Sequence, residues 1–289
     1  MTVLDAIQRS SEFLAKKGVE SPRLQVELML AQLLELPRLK LYLNFDRPLD
    51  DGQTGQLRAM VQRRGQREPL QHILGSTCFC GLDFAVSPEA LIPRQETELL
   101  CERAWQHLGA FPNSNSARPS ALDMGTGTGC LAVTLAVKCP EATIHAADIS
   151  GEALKLARQN AARHAVAERI AFHRSDLFSA LADAGRFDLI LSNPPYIPTA
   201  ILETLAPEVR VYDPTLALDG GPDGLVYYRR LAKEAGAYLK KGGMLMVEFG
   251  DDQEKAIGSI FQENDWVVDE LLRDLVGQLR IMIAHRDDC

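Results

Sequence analysis

An apolar strand that runs straight into Gly125-Thr126-Gly127-Thr128-Gly129 and then into a helix leaves a chain few folds to choose from. Three glycines in five residues let the backbone turn tightly and let a ligand approach it closely. The helix that follows offers unpaired N–H groups and a partial positive charge, which suit a carboxylate or a phosphate. The same alternation continues beyond it. Strands are expected at 120–124, 143–148, 169–173, 187–192, 243–249, 266–271 and 278–285, and helices at 128–138, 151–164, 223–240 and 252–263. Alternation of this kind builds a parallel sheet covered by helices on both faces. The expected core, within a range of 93–289, is therefore α/β, Rossmann-like and seven-stranded. Its ligand site should lie beyond the carboxyl ends of the strands.

Residues 1–75 show no strand-like alternation and read as a small helical bundle. Val3, Ile7, Phe13 and Leu14 fall near helical spacing. Ser21-Pro22 opens a second helix, with Ser as cap and Pro at the first helical position. Leu39–Leu43 makes a short third piece and Gln53–Arg67 a polar fourth. Such a module either stabilises its neighbour or reads a partner, and the sequence leaves both open. Residues 76–92 change character: two short strands around Gly81 predict a linking β-hairpin. Pro93 to Leu108 predicts a helix, and residues 112–120 a polar, proline-bounded loop.

Length and charge narrow the classes. At 289 residues, two domains are expected. The net charge is −8; residues 1–75 carry 11 Lys/Arg against 9 Asp/Glu, and the rest 20 against 30. Neither part has the basic excess of a nucleic-acid coater. No long uncharged apolar run suggests a membrane span, and the N-terminus lacks the pattern of a signal peptide, so the cytoplasm is the expected compartment. The six cysteines, at 78, 80, 101, 130, 139 and 289, include no C-x-x-C pair, so reduced thiols and no metal are expected. None of the six histidines shows catalytic spacing, and all read as structural or surface residues.

The glycine loop is shared by two cofactor classes. Asp148, at the end of the next strand, can accept hydrogen bonds from both hydroxyls of a ribose. Gly127-x-Gly129-x-x-Ala132 satisfies a dinucleotide pattern, but that register starts late, inside the loop. The tighter G-x-G-x-G after an acidic strand end is more typical of S-adenosylmethionine sites. Asp176 is placed to accept from an adenine amino group with Leu177 or Phe178 packed on the ring; an aspartate capping a helix from Leu177 onward reads equally well.

The strand Asp188–Ser192 runs into Asn193-Pro194-Pro195-Tyr196-Ile197-Pro198. The prolines stop the strand and hold Asn193 and Pro194 extended. The Asn193 side-chain oxygen and the Pro194 carbonyl are then two acceptors near one point, suited to the two hydrogens of an NH2 group. Tyr196 is expected to lay a flat face over a planar group. An amide nitrogen is a poor nucleophile because its lone pair is delocalised. Fixed acceptors favour a pyramidal nitrogen, free the lone pair and aim it at an electrophile. The bland alternative is a rigid proline turn capping a strand.

Taken together, these residues resemble the glutamine methyltransferases that act on peptide chain release factors. The resemblance covers nearly the whole chain: the helical start, Arg67-Glu68-Pro69-Leu70-Gln71-His72-Ile73-Leu74-Gly75, Phe79-x-Gly81-Leu82, Leu91-Ile92-Pro93-Arg94 with Thr97-Glu98, the glycine loop, the Asn193–Tyr196 tetrapeptide, and Gly220-Gly221-x-Asp223-Gly224. It implies an S-adenosylmethionine-dependent methyltransferase core. It implies S-adenosylmethionine held by Gly125, Thr126, Gly127, Thr128, Gly129, Asp148, Asp176, Leu177 and Asn193. It implies a glutamine, in a Gly-Gly-Gln tripeptide of release factors, held by Asn193, Pro194, Pro195 and Tyr196 with Arg94 and Glu98, and catalysis by Asn193, Pro194 and Tyr196. The N-terminal helices would grip the protein substrate, and a monomer is expected. Two positions depart from the family: Leu177 stands where some members have tryptophan, and Cys80 where an aromatic is common.

The rival readings separate on sequence. A ribosomal-protein glutamine methyltransferase favours Ser-Pro where this chain has Gln95-Glu96-Thr97-Glu98. A DNA amino-methyltransferase needs a basic target-reading domain, and a nicotinamide dehydrogenase needs a proton donor where this chain has prolines. A cofactor-binding adaptor has no need of an intact Asn193-Pro194-Pro195-Tyr196.

Overall fold

In the computed structural model, which describes residues 1–110 and 118–287, the chain divides into two units. Residues 1–76 and 206–212 form one, and 77–205 with 213–287 the other. Most of the loop expected at 112–120, and Cys289, lie outside the described residues.

The first unit is built on α1 (Val3–Lys16), α2 (Pro22–Leu33), α3 (Arg38–Leu41), α4 (Asp51–Gly65) and α5 (Leu70–Leu74). Reciprocal Thr2–Asp5 and Asp50–Gln53 capping boxes start α1 and α4. Ser21 does precede α2, but at φ 44° its side chain makes no cap; Pro22 alone pre-forms the first turn. Val3, Ile7, Leu14, Met29, Leu30, Leu41 and Leu57 make the core. Glu27 is buried within it, yet is satisfied by Arg23 and Arg38, each at 2.9 Å, and by the Tyr42 hydroxyl at 3.0 Å. The short helix α9 of this unit appears later in the chain, at Pro207–Arg210. Its Glu208 accepts from Arg64 at 2.8 Å and from Arg67 at 2.6 and 2.8 Å.

The second unit opens with a hairpin of β1 (Ser76–Phe79) and β2 (Leu82–Ala85), then α6 (Glu96–Gly109). Cys80 and Gly81, at φ 49° and 78°, form the two-residue turn with positive φ at both positions that suits a twisted hairpin. The expected helix from Pro93 starts only at Glu96, which leaves Pro93 and Arg94 in extended chain. There follow β3 (Ser120–Met124), α7 (Cys130–Lys138), β4 (Thr143–Asp148), α8 (Gly151–Arg163), β5 (Ile170–Arg174), β6 (Phe187–Ser192), α10 (Val226–Glu234), β7 (Leu239–Glu248), α11 (Glu254–Gln262), β8 (Trp266–Arg273) and β9 (Leu279–Arg286).

The sheet has the order β5-β4-β3-β6-β7-β9-β8. Strands β5, β4, β3, β6 and β7 are parallel, as the alternation predicted, while β9 is antiparallel to both β7 and β8. Only five residues join β8 to β9, and a parallel crossover needs about a dozen. Chain order reverses at β3, with β4 and β6 as its two neighbours, which opens a crevice at the carboxyl ends. The expected helix 223–240 is shortened to α10 and a 3-10 turn at 235–238, because Gly224 sits at φ 75° and Asp223 takes the Leu225 N–H at 3.1 Å. Among the described residues no helix is long and apolar enough to cross a membrane.

The Glu208 carboxyl is pushed up by burial, but the Arg67 and Arg64 hydrogen bonds prevail and hold it at about 2. Its stabilisation is present above its ordinary pKa and is lost as pH falls toward about 2. Glu208→Gln is expected to lower the unfolding free energy of the helical unit by about 2–3 kcal/mol at pH 7. In urea titrations the difference from wild type should vanish at pH near 2; a difference unchanged by pH would rule out the ion pairs as its source.

Candidate active site

A cleft of about 1130 Å³, counting its open mouth, lies at the strand ends of the second unit. Its walls include Arg94 from the extended chain before α6 and Thr97 from its first turn, Gly125 to Thr128, Asp148, Asp176, Leu177, and Asn193 to Pro195. Register brings the two loops together: Met124 pairs with Ser192, whose hydroxyl donates to the Met124 carbonyl at 2.8 Å. The residues after these two are Gly125 and Asn193.

The glycine loop is held from beneath. Gly125 and Thr126 both donate to the Ala147 carbonyl, at 2.8 and 3.0 Å. Gly129 caps α7 in the left-handed region, and a Cβ there would lie 2.9 Å from the Ala157 Cβ. Gly125, at φ 76°, differs: it lines the cleft, and a Cβ there would meet nothing within 4 Å and would fill open space. Asp123, a site residue the sequence reading missed, sits under the loop. One oxygen accepts from the Thr126 hydroxyl at 2.6 Å and from Ala132 N–H at 3.1 Å. Burial pushes this carboxyl up to about 7 against those two bonds. Asp148 accepts from Gly127 N–H and Ser150 N–H, both at 2.9 Å, and burial raises it too.

Asp176 and Leu177 both line the cleft, but no helix starts there, so the capping alternative fails. Leu177 is buried at φ 48°, Asp176 receives Arg230 at 2.7 Å, and it is the Ser175 hydroxyl that takes the Ala180 N–H at 3.0 Å.

Asn193 lines the cleft with its amide already oriented: Nδ2 donates to the Thr97 hydroxyl oxygen at 3.0 Å. Thr97 and Asn193 both lie close enough to Glu248, the last residue of β7, to draw its carboxyl down against the burial that raises it. Thr97 and Glu248 are 3% and 2% exposed, and neither was singled out as a site residue from sequence. The signal for Thr97 was its place in Pro93-Arg94-x-x-Thr97-Glu98; for Glu248, an acidic residue ending an apolar strand.

Two of the expected site residues lie outside the cleft lining. Tyr196 is not among the cleft-lining residues: its ring packs where a Cβ on Gly250 would lie 2.9 Å away, and burial pushes its hydroxyl up to about 12. Its main chain is what the surroundings grip. Gln253 donates to its carbonyl at 3.0 Å, and a Cβ on Gly220 or Gly224 would lie 2.8 Å from its Cα or 2.3 Å from its carbonyl oxygen. Gly220 and Gly224 of Gly220-Gly221-x-Asp223-Gly224 thus make room for the tetrapeptide. Glu98 also lies outside the cleft lining; it accepts the Cys80 N–H at 2.8 Å and fixes the hairpin turn. Arg94 lines the cleft and pairs at 2.5 Å with the buried Asp213, next to the lining residues Pro214, Leu216 and Ala217. Among the described residues no three His, Cys, Asp or Glu side chains are grouped to hold a metal ion.

Two family models match the sequence: "PrmC N-terminal domain" over residues 5–75 and "Methyltransferase small domain" over 107–205. The release factor glutamine methyltransferase of Geobacter sulfurreducens is 46% identical over 260 residues, covering 90% of this chain and 88% of that protein. The chain belongs to the release factor glutamine methyltransferase family. A second member, from Chlorobaculum tepidum, is 46% identical over 254 residues, 87% of this chain and 86% of its own. A methyltransferase structure from Pyrococcus furiosus shares the fold at a TM-score of 0.51 and 20% identity, over 77% of this chain and 96% of its own.

The packing around Tyr196 sets a test of the site's construction. Gly224→Ala meets both a positive φ and a main-chain clash, and is expected to cost about 2–4 kcal/mol. Gly81→Ala, at φ 78° with nothing within 4 Å, should cost only about 1–2 kcal/mol. Equal costs in chemical denaturation would show that Gly224 is required for its φ alone.

Proposed function

We propose that this enzyme methylates the side-chain amide nitrogen of the glutamine in the Gly-Gly-Gln tripeptide of peptide chain release factors, with S-adenosylmethionine as donor. The observation that carries the reading is the Asn193 amide. With Nδ2 committed to Thr97, its oxygen is left to accept in the cleft. The Pro194 carbonyl, just past the strand end and braced by Pro195, supplies the second acceptor. Two acceptors match the two hydrogens of a carboxamide NH2.

The cleft fits the donor. The open space at Gly125 lets a ligand lie against the loop, and the carboxylate oxygens of Asp148, each with one backbone donor, keep lone pairs for ribose hydroxyls. Asp176 and Leu177 would border the adenine, with the second Asp176 oxygen as acceptor and Leu177 as the apolar contact. When bound, S-adenosylmethionine supplies an electrophilic methyl group on a sulfonium.

The residues of this chain do the rest. Asn193 and Pro194 hold the glutamine nitrogen, weaken its conjugation and orient its lone pair. Proximity and orientation of this kind contribute about 7–11 kcal/mol to such steps. Tyr196 acts through its clamped main chain, which fixes the carbonyls before it. Arg94 and the Asp213 segment border the entrance. In the helical unit, Leu39, Tyr42 and Leu43 are exposed within five residues, an apolar surface suited to gripping a protein substrate.

Asn193→Ala should abolish turnover and leave donor affinity within a few-fold, by calorimetry with S-adenosylmethionine; normal methylation by the variant sinks the acceptor-pair mechanism. Asp148→Ala should weaken donor binding by about 1.5–3 kcal/mol in the same titration, and unchanged affinity would remove Asp148 from the ribose. Mass spectrometry of a release factor after incubation with enzyme and donor should find one added methylene on the Gly-Gly-Gln glutamine. Its appearance elsewhere would reject the substrate assignment.

A further inference from the structure

An asparagine amide is nearly symmetric in shape, so its oxygen and nitrogen exchange places by a half-turn of the terminal torsion. With its NH2 in the cleft, Asn193 would present donors to a substrate that is itself a donor. Some group must decide between the two orientations. Thr97 cannot do so alone, because a hydroxyl both donates and accepts.

We propose that Glu248 is a positioning residue for methyl transfer: its carboxylate, acting through Thr97, locks the Asn193 amide with its oxygen toward the substrate amide. The inference rests on the role given to Asn193 above.

The placement follows from the sheet. Strand β6 pairs with β7 in a register that sets Ser192 beside Val247, so Asn193 and Glu248 are the next residues of adjacent strands. Thr97, from the first turn of α6, accepts from Asn193 Nδ2 at 3.0 Å and sits close enough to the buried Glu248 to draw its carboxyl down. An ionised carboxylate can only accept. It therefore takes the Thr97 hydroxyl hydrogen, and Thr97 is left to accept from Asn193 Nδ2. Asn193 also faces Glu248 directly, so the carboxylate favours the same orientation by both routes: NH2 toward Thr97 and Glu248, oxygen toward the cleft. The second Glu248 oxygen, Oε2, is buried and has no hydrogen-bond partner among the described residues.

A protonated Glu248 would become a donor. Thr97 could then turn its own hydrogen to Asn193, and the amide could reverse. The groups facing Glu248 set where this happens. Burial pushes its carboxyl up to about 7, with Glu96 of α6 adding to the effect. Thr97, Arg280 of β9 and Asn193 oppose it. The Tyr196 and Tyr228 hydroxyls, also near it, stay neutral. The competent form is the carboxylate, so turnover should rise with pH through about 7.

The test is kcat against pH, with full-length enzyme, saturating S-adenosylmethionine and a purified release factor. Wild type should show an ascending limb near pH 7. Glu248→Gln should lose that limb and fall about ten-fold or more in kcat at high pH, with KM for both substrates within about two-fold. Thr97→Val should lose the limb likewise, and Thr97→Ser should restore it; this pair reads the same connection should Glu248→Gln fold poorly. Independently of turnover, infrared titration of the apoprotein should find buried carboxylic acid absorption that disappears near pH 7, reduced in Glu248→Gln to the part that Asp123→Asn removes. Asp123 also titrates near 7, but it braces the glycine loop, so Asp123→Asn should alter donor KM and leave the kcat limb in place. A limb that survives in Glu248→Gln, or wild-type kcat in that variant, overturns the inference while leaving the site's function intact. Absence of methyl transfer by wild type overturns both.

Discussion

The pairing of Met124 with Ser192 is the constraint on which the site depends. It joins the two strands that flank the reversal of chain order, and it ends both at one level. Everything beyond is loop, and the two loops emerge side by side because their strands are in register. The Ser192 hydroxyl on the Met124 carbonyl ties this last pair in the buried interior. A slip by one residue would turn each side chain to the opposite face of the sheet and part the glycine loop from Asn193.

Rigidity on the two sides has different origins. The glycine loop is flexible by composition and is made stiff by contacts: Ala147 below, Asp123 inside, Asp148 alongside. The tetrapeptide is stiff by composition and is then boxed in by glycines that let Gln253 and neighbouring main chain approach it. Both arrangements place carboxylates out of water. Burying them opposes folding, and the hydrogen bonds that compensate are the ones that shape the cleft.

Much of this was legible in the sequence. Strand and helix alternation, the loop at Gly125, Asp148 and the Asn193 tetrapeptide are local signals, since each depends on neighbours in the chain. What the sequence withheld depends on partners far along it. Nothing near Tyr196 announces that Gly220, Gly224 and Gly250 will close on its backbone, so its aromatic ring looked like a binding face. Glu98 read as part of a recognition motif, whereas it holds the hairpin turn at Cys80. Thr97 and Glu248 gain their meaning from a bond across two elements. The antiparallel β9 was within reach, because the short β8–β9 connection already forbids a parallel pair. Its insertion between β7 and β8 was not, because connection length does not set strand order.

That insertion bears on how the sheet is assembled. Among the described strands, the one latest in the chain occupies an interior position, flanked by two made earlier. Until residues 279–286 leave the ribosome, β7 carries an open row of main-chain donors and acceptors on one side, and β8 has nothing to pair with. Exposed rows of that kind recruit other strands. A message cut short before Leu279 would thus yield a nearly complete domain with an adhesive edge, and quality control must deal with it as such.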